Sequence, residues 1–189
     1  MYFPVSLKIE GRRCLVVGGG RIALQKTRDL LKAGAQVTVV SPGIHPGFKR
    51  LDARHLRRRF RDGDAGGILL AVAATDDPEV NRAVHRACVR RGVLVNVVDV
   101  PALCTFIVPS VVRRGPVTLA ISTDGESPSL AKALRKDLER LYPRSLGRFA
   151  RSVGRARRRL LRAVAPSPSR TRLLKGLARG LSFRKAGTR

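Results

Sequence analysis

Gly18-Gly19-Gly20-Arg21-Ile22-Ala23 fits the spacing G-x-G-x-x-A, directly after the apolar run Cys14–Val17 and at the start of a helical pattern. In that setting the first glycine permits a tight turn, and Gly20 lets backbone approach a pyrophosphate with no Cβ in the way. Ala23 allows close helix–strand packing. The helix N-terminus then offers unpaired N–H groups and a partial positive charge to phosphate oxygens. Residues Gly18, Gly19, Gly20, Arg21, Ile22 and Ala23 are therefore predicted to hold a dinucleotide; a purely structural turn is the competing reading.

The acidic residue expected about 20 positions further on, which would grip the adenosine ribose hydroxyls, is missing. The second apolar run ends Val39-Val40-Ser41-Pro42. Ser41 can hydrogen-bond a hydroxyl but offers no bidentate carboxylate, so NAD and NADP are not distinguished there. In "AVAATDDPEVN", Thr75 and Asp76 follow a strand at the edge where open α/β sheets bind ligands. Either could equally cap the helix that begins near Pro78. Asp99 ends "VLVNVVD" at the same edge and is the best-placed carboxylate for chemistry. As a general base it would stand beside the atom losing a proton, its pKa set by partial burial. Fixing a loop is the other role open to it.

The elements that position these residues alternate. Cys14–Val17, Gln36–Val40, Ile68–Ala73 and Val93–Val98 read as strands, and Ile22–Ala33 and Pro78–Arg91 as helices. Such alternation predicts an α/β fold, a Rossmann-type parallel sheet with helices on both faces. "HLRRRF" at His55–Phe60 is at best an edge strand because of its charge. After Asp99 comes one more strand-like run, "VTLAIST", and then a helix with Ser127 as N-cap and Pro128 at its first position. Leu130, Leu134, Leu138 and Leu141 give that helix an apolar stripe in need of a partner surface, such as another subunit. From Arg140 to Arg189 no acidic residue occurs. "APSPS" at Ala165–Ser169 breaks this basic region as a turn would, with Leu173 or Leu174, Leu177 and Leu181 keeping a helical stripe.

With 39 Lys and Arg against 13 Asp and Glu, the formal charge is +26, which favours polyanionic partners: nucleic acid, an anionic surface or a polyanionic small molecule. Cys14, Cys88 and Cys104 are odd in number and far apart, so they form neither a disulfide framework nor a CxxC motif. His45, His55 and His85 are equally scattered, and no metal site is expected. No secretory leader pattern and no apolar run of membrane-spanning length is present, so a cytoplasmic location is expected.

Taken in order, "VVGGGRIALQKTRDLLKAGAQVTVVSP", "AATDDPEVN", "VNVVDVPALCTFIVPSVVRRGPVTLAIST" and "GESPSLAKALRKDLERLYP" closely resemble the dehydrogenase module of the siroheme synthase family. The resemblance implies NAD-dependent dehydrogenation of precorrin-2, a polycarboxylate tetrapyrrole, to sirohydrochlorin. It also implies a homodimer in three parts, drawn here as an NAD-binding domain at 1–113, a dimerisation region at 114–143 and a small basic helical module or tail at 144–189. The family's catalytic aspartate falls on Asp99. Arg113 and Arg114 are candidates for the substrate carboxylates, with solvated loop charges as the other reading, and Ser122 and Thr123 fall in the serine-glycine-glycine loop of the family. Asp124 stands where that loop has glycine, and an added negative charge there would repel an anionic substrate. Some members of the family also insert iron into sirohydrochlorin.

Two other classes of function compete: an NAD sensor without turnover, and a binder of nucleic acid or anionic surfaces that uses the basic C-terminal segment, if only as an accessory. Aromatic content is only 4%, without the interleaved aromatics that stack on single-stranded bases. An accessory role would appear as a salt-sensitive DNA mobility shift that deletion beyond Pro143 abolishes.

Overall fold

The structure is a computed structural model and describes residues 2–179, so Leu181 of the expected C-terminal stripe lies outside the described residues. The chain divides into two compact units, with the break between Val108 and Pro109. In the first unit, β1 (Arg13–Val17), α1 (Arg21–Lys32), β2 (Gln36–Val40), β3 (Arg54–Leu56), β4 (Leu70–Ala73), α2 (Pro78–Val89) and β5 (Leu94–Val97) follow one another. The five strands form a parallel sheet in the order β3-β2-β1-β4-β5.

Alternate side chains of the central strands feed two cores. Leu15, Val17, Val40, Ala71, Ala73, Val95 and Val97 face one way and pack with Val84, Ala87 and Cys88 of α2. Cys14, Val16, Val37, Val39, Leu70 and Val72 face the other way and pack with Ala23 and Leu24 of α1 and with Phe48. This is the expected sheet with a helix on each face, and it explains why the strands read as near-continuous apolar runs. "HLRRRF" contributes only the three-residue edge strand β3; the charged remainder leaves the ladder.

The second unit opens with the antiparallel hairpin β6 (Ser110–Arg114) and β7 (Val117–Ile121), turned at Gly115 with φ +63°. The expected boundary at residue 113 therefore cuts through β6, whose ladder partner lies on the far side of the turn. Among the described residues three helices follow: α3 (Pro128–Leu141), α4 (Ser145–Ala163) and α5 (Pro168–Arg179). Ser127 caps α3, its Oγ accepting the Leu130 N–H at 3.2 Å. Ser167 accepts the Arg170 N–H at 3.1 Å, so "APSPS" is the break between α4 and α5. Gly147 seats α4 against the hairpin turn: a Cβ there would come within 2.7 Å of the Arg114 carbonyl oxygen.

Burial pushes the thiols of Cys14 and Cys88 from 9.0 up to about 11. The folded state favours the neutral thiols, so their contribution is complete below about pH 9 and is lost as pH rises toward 11. The urea midpoint is expected to fall across that interval, and Cys88→Ala to lessen the fall. Phe48→Ala should cost about 3–5 kcal/mol in the same denaturation experiment, since the ring is fully buried among α1 and β2 side chains.

Candidate functional site

The carboxyl edge of the five-stranded sheet opens into a cleft of about 810 Å³, within the roughly 300–1,000 Å³ of small-molecule sites. Its floor is the turn between β1 and α1. Gly18 has φ +123°, and a Cβ there would lie 2.2 Å from the Ala74 carbonyl oxygen. A Cβ on Gly19 would lie 1.9 Å from the Gly43 carbonyl oxygen. Backbone bonds from the Gly18 N–H to the Val40 carbonyl (3.0 Å) and from the His45 N–H to the Gly19 carbonyl (2.7 Å) clamp the turn.

Gly20 differs from its neighbours: no atom lies within 4 Å of where its Cβ would stand. It is the N-cap of α1, no side chain caps the helix, and no acidic residue sits in the first turn. The first bond of the helix runs from the Leu24 N–H to the Gly20 carbonyl, which leaves the amides of Arg21, Ile22 and Ala23 without an intrahelical acceptor. Open space over uncapped amides at a positive helix end fits a diphosphate. Ala23 itself is fully buried against the sheet and acts from beneath the cleft.

Ser41 lines the cleft beside the turn, but its hydroxyl donates to the Gly43 carbonyl at 2.7 Å, so only its lone pairs face a ligand. Thr75 and Asp76 line the opposite side. Neither caps α2: Asp77 does, its Oδ1 accepting the N–H groups of Glu79 (2.9 Å) and Val80 (3.2 Å). Asp77 takes that place because it immediately precedes Pro78 at the first helical position. The Thr75 hydroxyl donates to Oδ1 of the buried Asn81 on α2 at 2.9 Å, and the Asn81 amide reaches back to the Thr75 carbonyl at 3.0 Å.

Asp99 lines the same cleft with φ +61°, a left-handed backbone that a non-glycine residue adopts at a cost of about 1–3 kcal/mol. The surrounding chain holds it there. Val97 O accepts the Val100 N–H at 3.2 Å, Cys104 Sγ accepts the Val97 N–H at 3.2 Å, and His85 Nδ1 meets the Leu103 carbonyl at 2.9 Å. Thr105 and Phe106 double back along β5. The partial burial expected of a base is not found: Asp99 is exposed, because the left-handed turn carries it out of the strand.

Arg113, Arg114, Ser122 and Thr123 belong to the second unit. Arg113 is exposed on β6. The guanidinium of Arg114 is committed to the end of α3, donating to the carbonyls of Tyr142 at 2.7 Å and Glu139 at 3.0 Å. The hydroxyls of Ser122 and Thr123 accept the N–H groups of Asp124 and Ser127, both at 3.1 Å, and so shape the loop before α3. Asp124 has φ +50°, the conformation for which glycine is the natural residue.

Sequence reasoning passed over Arg59 and Phe60, which line the cleft from beyond β3, and the positioning side chains Asn81, His85 and Cys104. Asn81 was within reach, as the polar residue four places after Asp77 on a helix face otherwise apolar. Among the described residues, no three His, Cys, Asp or Glu side chains gather as a metal-ligand set, and no helix is long and apolar enough to cross a membrane.

A parallel sheet with helices on both faces, a glycine turn opening onto an uncapped helix and a cleft at the strand ends define an NAD(P)-binding Rossmann protein. Comparison with known proteins agrees. Residues 5–110 match a family described as "Putative NAD(P)-binding", and residues 114–141 match "Sirohaem biosynthesis protein central". The siroheme synthase of Thioalkalivibrio sulfidiphilus is 44% identical over 95% of this chain and 37% of its own length. That of Methylobacillus flagellatus is 51% identical over 78% of this chain and 32% of its own length. The chain thus spans about a third of these curated relatives. The solved structure of "SirC, precorrin-2 dehydrogenase" superposes with a TM-score of 0.79 at 30% identity, over 93% of this chain and 89% of that one. The chain belongs to the siroheme synthase family.

Two glycine variants separate the cradle from the fold. Gly20→Ala places a methyl in open space and should leave the urea midpoint nearly unchanged while weakening coenzyme binding at least tenfold by calorimetry. Gly18→Ala should lower the midpoint markedly, because positive φ and the Ala74 carbonyl both oppose it.

Proposed function

We propose that the chain catalyses the NAD-dependent dehydrogenation of precorrin-2 to sirohydrochlorin in siroheme biosynthesis. The observation that carries this reading is one cleft lined by both the glycine cradle and Asp99, the latter held in a strained backbone at the strand ends, in a chain structurally similar to SirC. NAD, when bound, supplies a two-electron acceptor.

The rest falls to the chain's own residues. Main-chain amides at Gly20–Ala23 orient the diphosphate, and Ser41, Thr75 and Asp76 border the remainder of the dinucleotide. A carboxylate oxygen of Asp99 takes the proton released from the tetrapyrrole. In the second unit, Arg113 is an exposed cation available to a polycarboxylate, Ser122 and Thr123 shape the loop before α3, and Arg114 is committed to the carbonyl end of α3 rather than to substrate. Asp99 is exposed, and among the described residues no side chain hydrogen-bonds to its carboxylate. Orientation is the protein's main contribution to rate.

A second copy of the chain completes the assembly. Leu130, Leu134 and Leu141 of α3 stand about half exposed, and among the described residues of the second unit the buried hydrophobic side chains are Val112, Ala131 and Leu146. A two-stranded sheet with so thin a core gains from further apolar burial. The bacterial relatives and the unpaired cysteines support a cytoplasmic setting.

Incubation with precorrin-2 and NAD should yield the absorbance of sirohydrochlorin. Asp99→Ala should lower turnover at least a hundredfold with coenzyme binding intact; undiminished turnover would remove Asp99 from the mechanism. Leu134→Arg should convert dimer to monomer in sedimentation, and an unchanged mass would contradict the α3 interface.

A further inference from the structure

Seven of the 19 residues of α4 are arginine and none is acidic. Five of them, Arg148, Arg151, Arg155, Arg158 and Arg162, follow at alternating steps of three and four, which sets them in one row along one face of the helix. All five are exposed. At the rise of an α-helix the row is about 21 Å long.

Like charges at these spacings repel across each turn. The neighbouring helix α3 balances its charges, pairing Arg135 with Glu139 and Arg140 with Asp137. In α4 no guanidinium of the row meets a carboxylate among the described residues. Arg155 donates to the Ser152 hydroxyl at 2.9 Å, and Arg151 lies over the hairpin turn, where a Cβ on Gly115 would come within 2.6 Å of its Nη1. Packing on the opposite side holds the helix in spite of the repulsion: α4 packs against β6, β7 and α5, and the half-buried Phe149, Val153, Ala156 and Leu160 lie on the face away from the row.

The form of this surface selects its partner. A guanidinium fork takes two phosphate oxygens at once. One strand of a double helix presents a phosphate about every 3.4 Å along its axis, so the row spans about six of them. A lipid surface would call for large apolar side chains exposed beside the cations, and among the described residues α4 exposes none. A single strand would call for rings on which bases stack, and the one aromatic residue of α4, Phe149, belongs to the packed face.

We propose that the arginine row of α4 is a docking surface for the phosphate backbone of duplex DNA, bound through charge and without regard to base sequence. The five arginines have no part in the dehydrogenase reading, so the two stand or fall separately.

Fluorescence anisotropy of a labelled duplex of about twenty base pairs, titrated with the full chain between about 50 and about 200 mM salt, tests it. Five contacts predict a slope of log affinity against log salt of about −4 to −5, and equal affinity for unrelated sequences. Arg155→Gln combined with Arg158→Gln should reduce the steepness by about two and weaken binding at low salt at least tenfold. The urea midpoint of that variant should be no lower than that of the wild type, because repulsion is relieved, which separates a lost contact from a lost fold. Lys132→Gln combined with Lys136→Gln removes the same charge from α3 and should change the affinity less than about threefold. Absence of binding at low salt, a slope shallower than about −2, equal losses for the two double variants, or binding to phosphatidylserine vesicles in place of the duplex would overturn the docking surface.

Discussion

The structure depends on one close approach of backbone to backbone. Gly18 and Gly19 press against the carbonyls of Ala74 and Gly43, at distances no side chain could share, and so bind the end of β1 to the loops that follow β4 and β2. With those contacts made, α1 starts where its first amides point into open space rather than into protein. The parallel sheet then brings every other strand end to the same edge, which is how Ser41, Thr75 and Asp99, far apart in the chain, come to border one cleft.

Strain is concentrated where the chemistry is expected. Asp99 occupies a left-handed conformation at the end of β5, stabilised by the return of residues 104–106 along that strand and by the His85 contact to Leu103. An exposed carboxylate on a rigid turn is suited to meeting a large flat substrate at the mouth of a cleft, where a buried base would be out of reach. Cys104 belongs to this support; its thiol is held in its neutral form by burial, which suits a hydrogen-bonding role and not a nucleophilic one.

Much of the first unit was legible in the sequence because its strands are buried on both faces and its turn has a fixed glycine spacing. Val37–Val40 and Ile68–Ala73 could hardly be anything but central strands, and Asp99 followed from its place at the end of one. Other features were not legible. That Asp77, and not Thr75 or Asp76, caps α2 is decided by one residue of register before Pro78. That Gly19 is as constrained as Gly18 depends on Gly43, which arrives from another loop. Arg59 was hidden by its run of like charges: "RRR" reads as a solvated edge until Asp64 is seen to take Arg58 and leave Arg59 facing the cleft. Arg114 looked like a ligand for anions, yet the nearest need for its fork is the carbonyl end of α3, a partner 25 or more residues away in sequence that no local pattern reveals.

The central claim is that main-chain amides at the start of α1 hold a diphosphate. Amide chemical shifts of the isotopically labelled chain, followed while NAD is added, test it most directly. A diphosphate held there should produce the largest changes at Gly19, Gly20, Arg21 and Ile22, saturating together. Coenzyme binding that leaves those amides unmoved, or that perturbs a different face of the sheet, would contradict it.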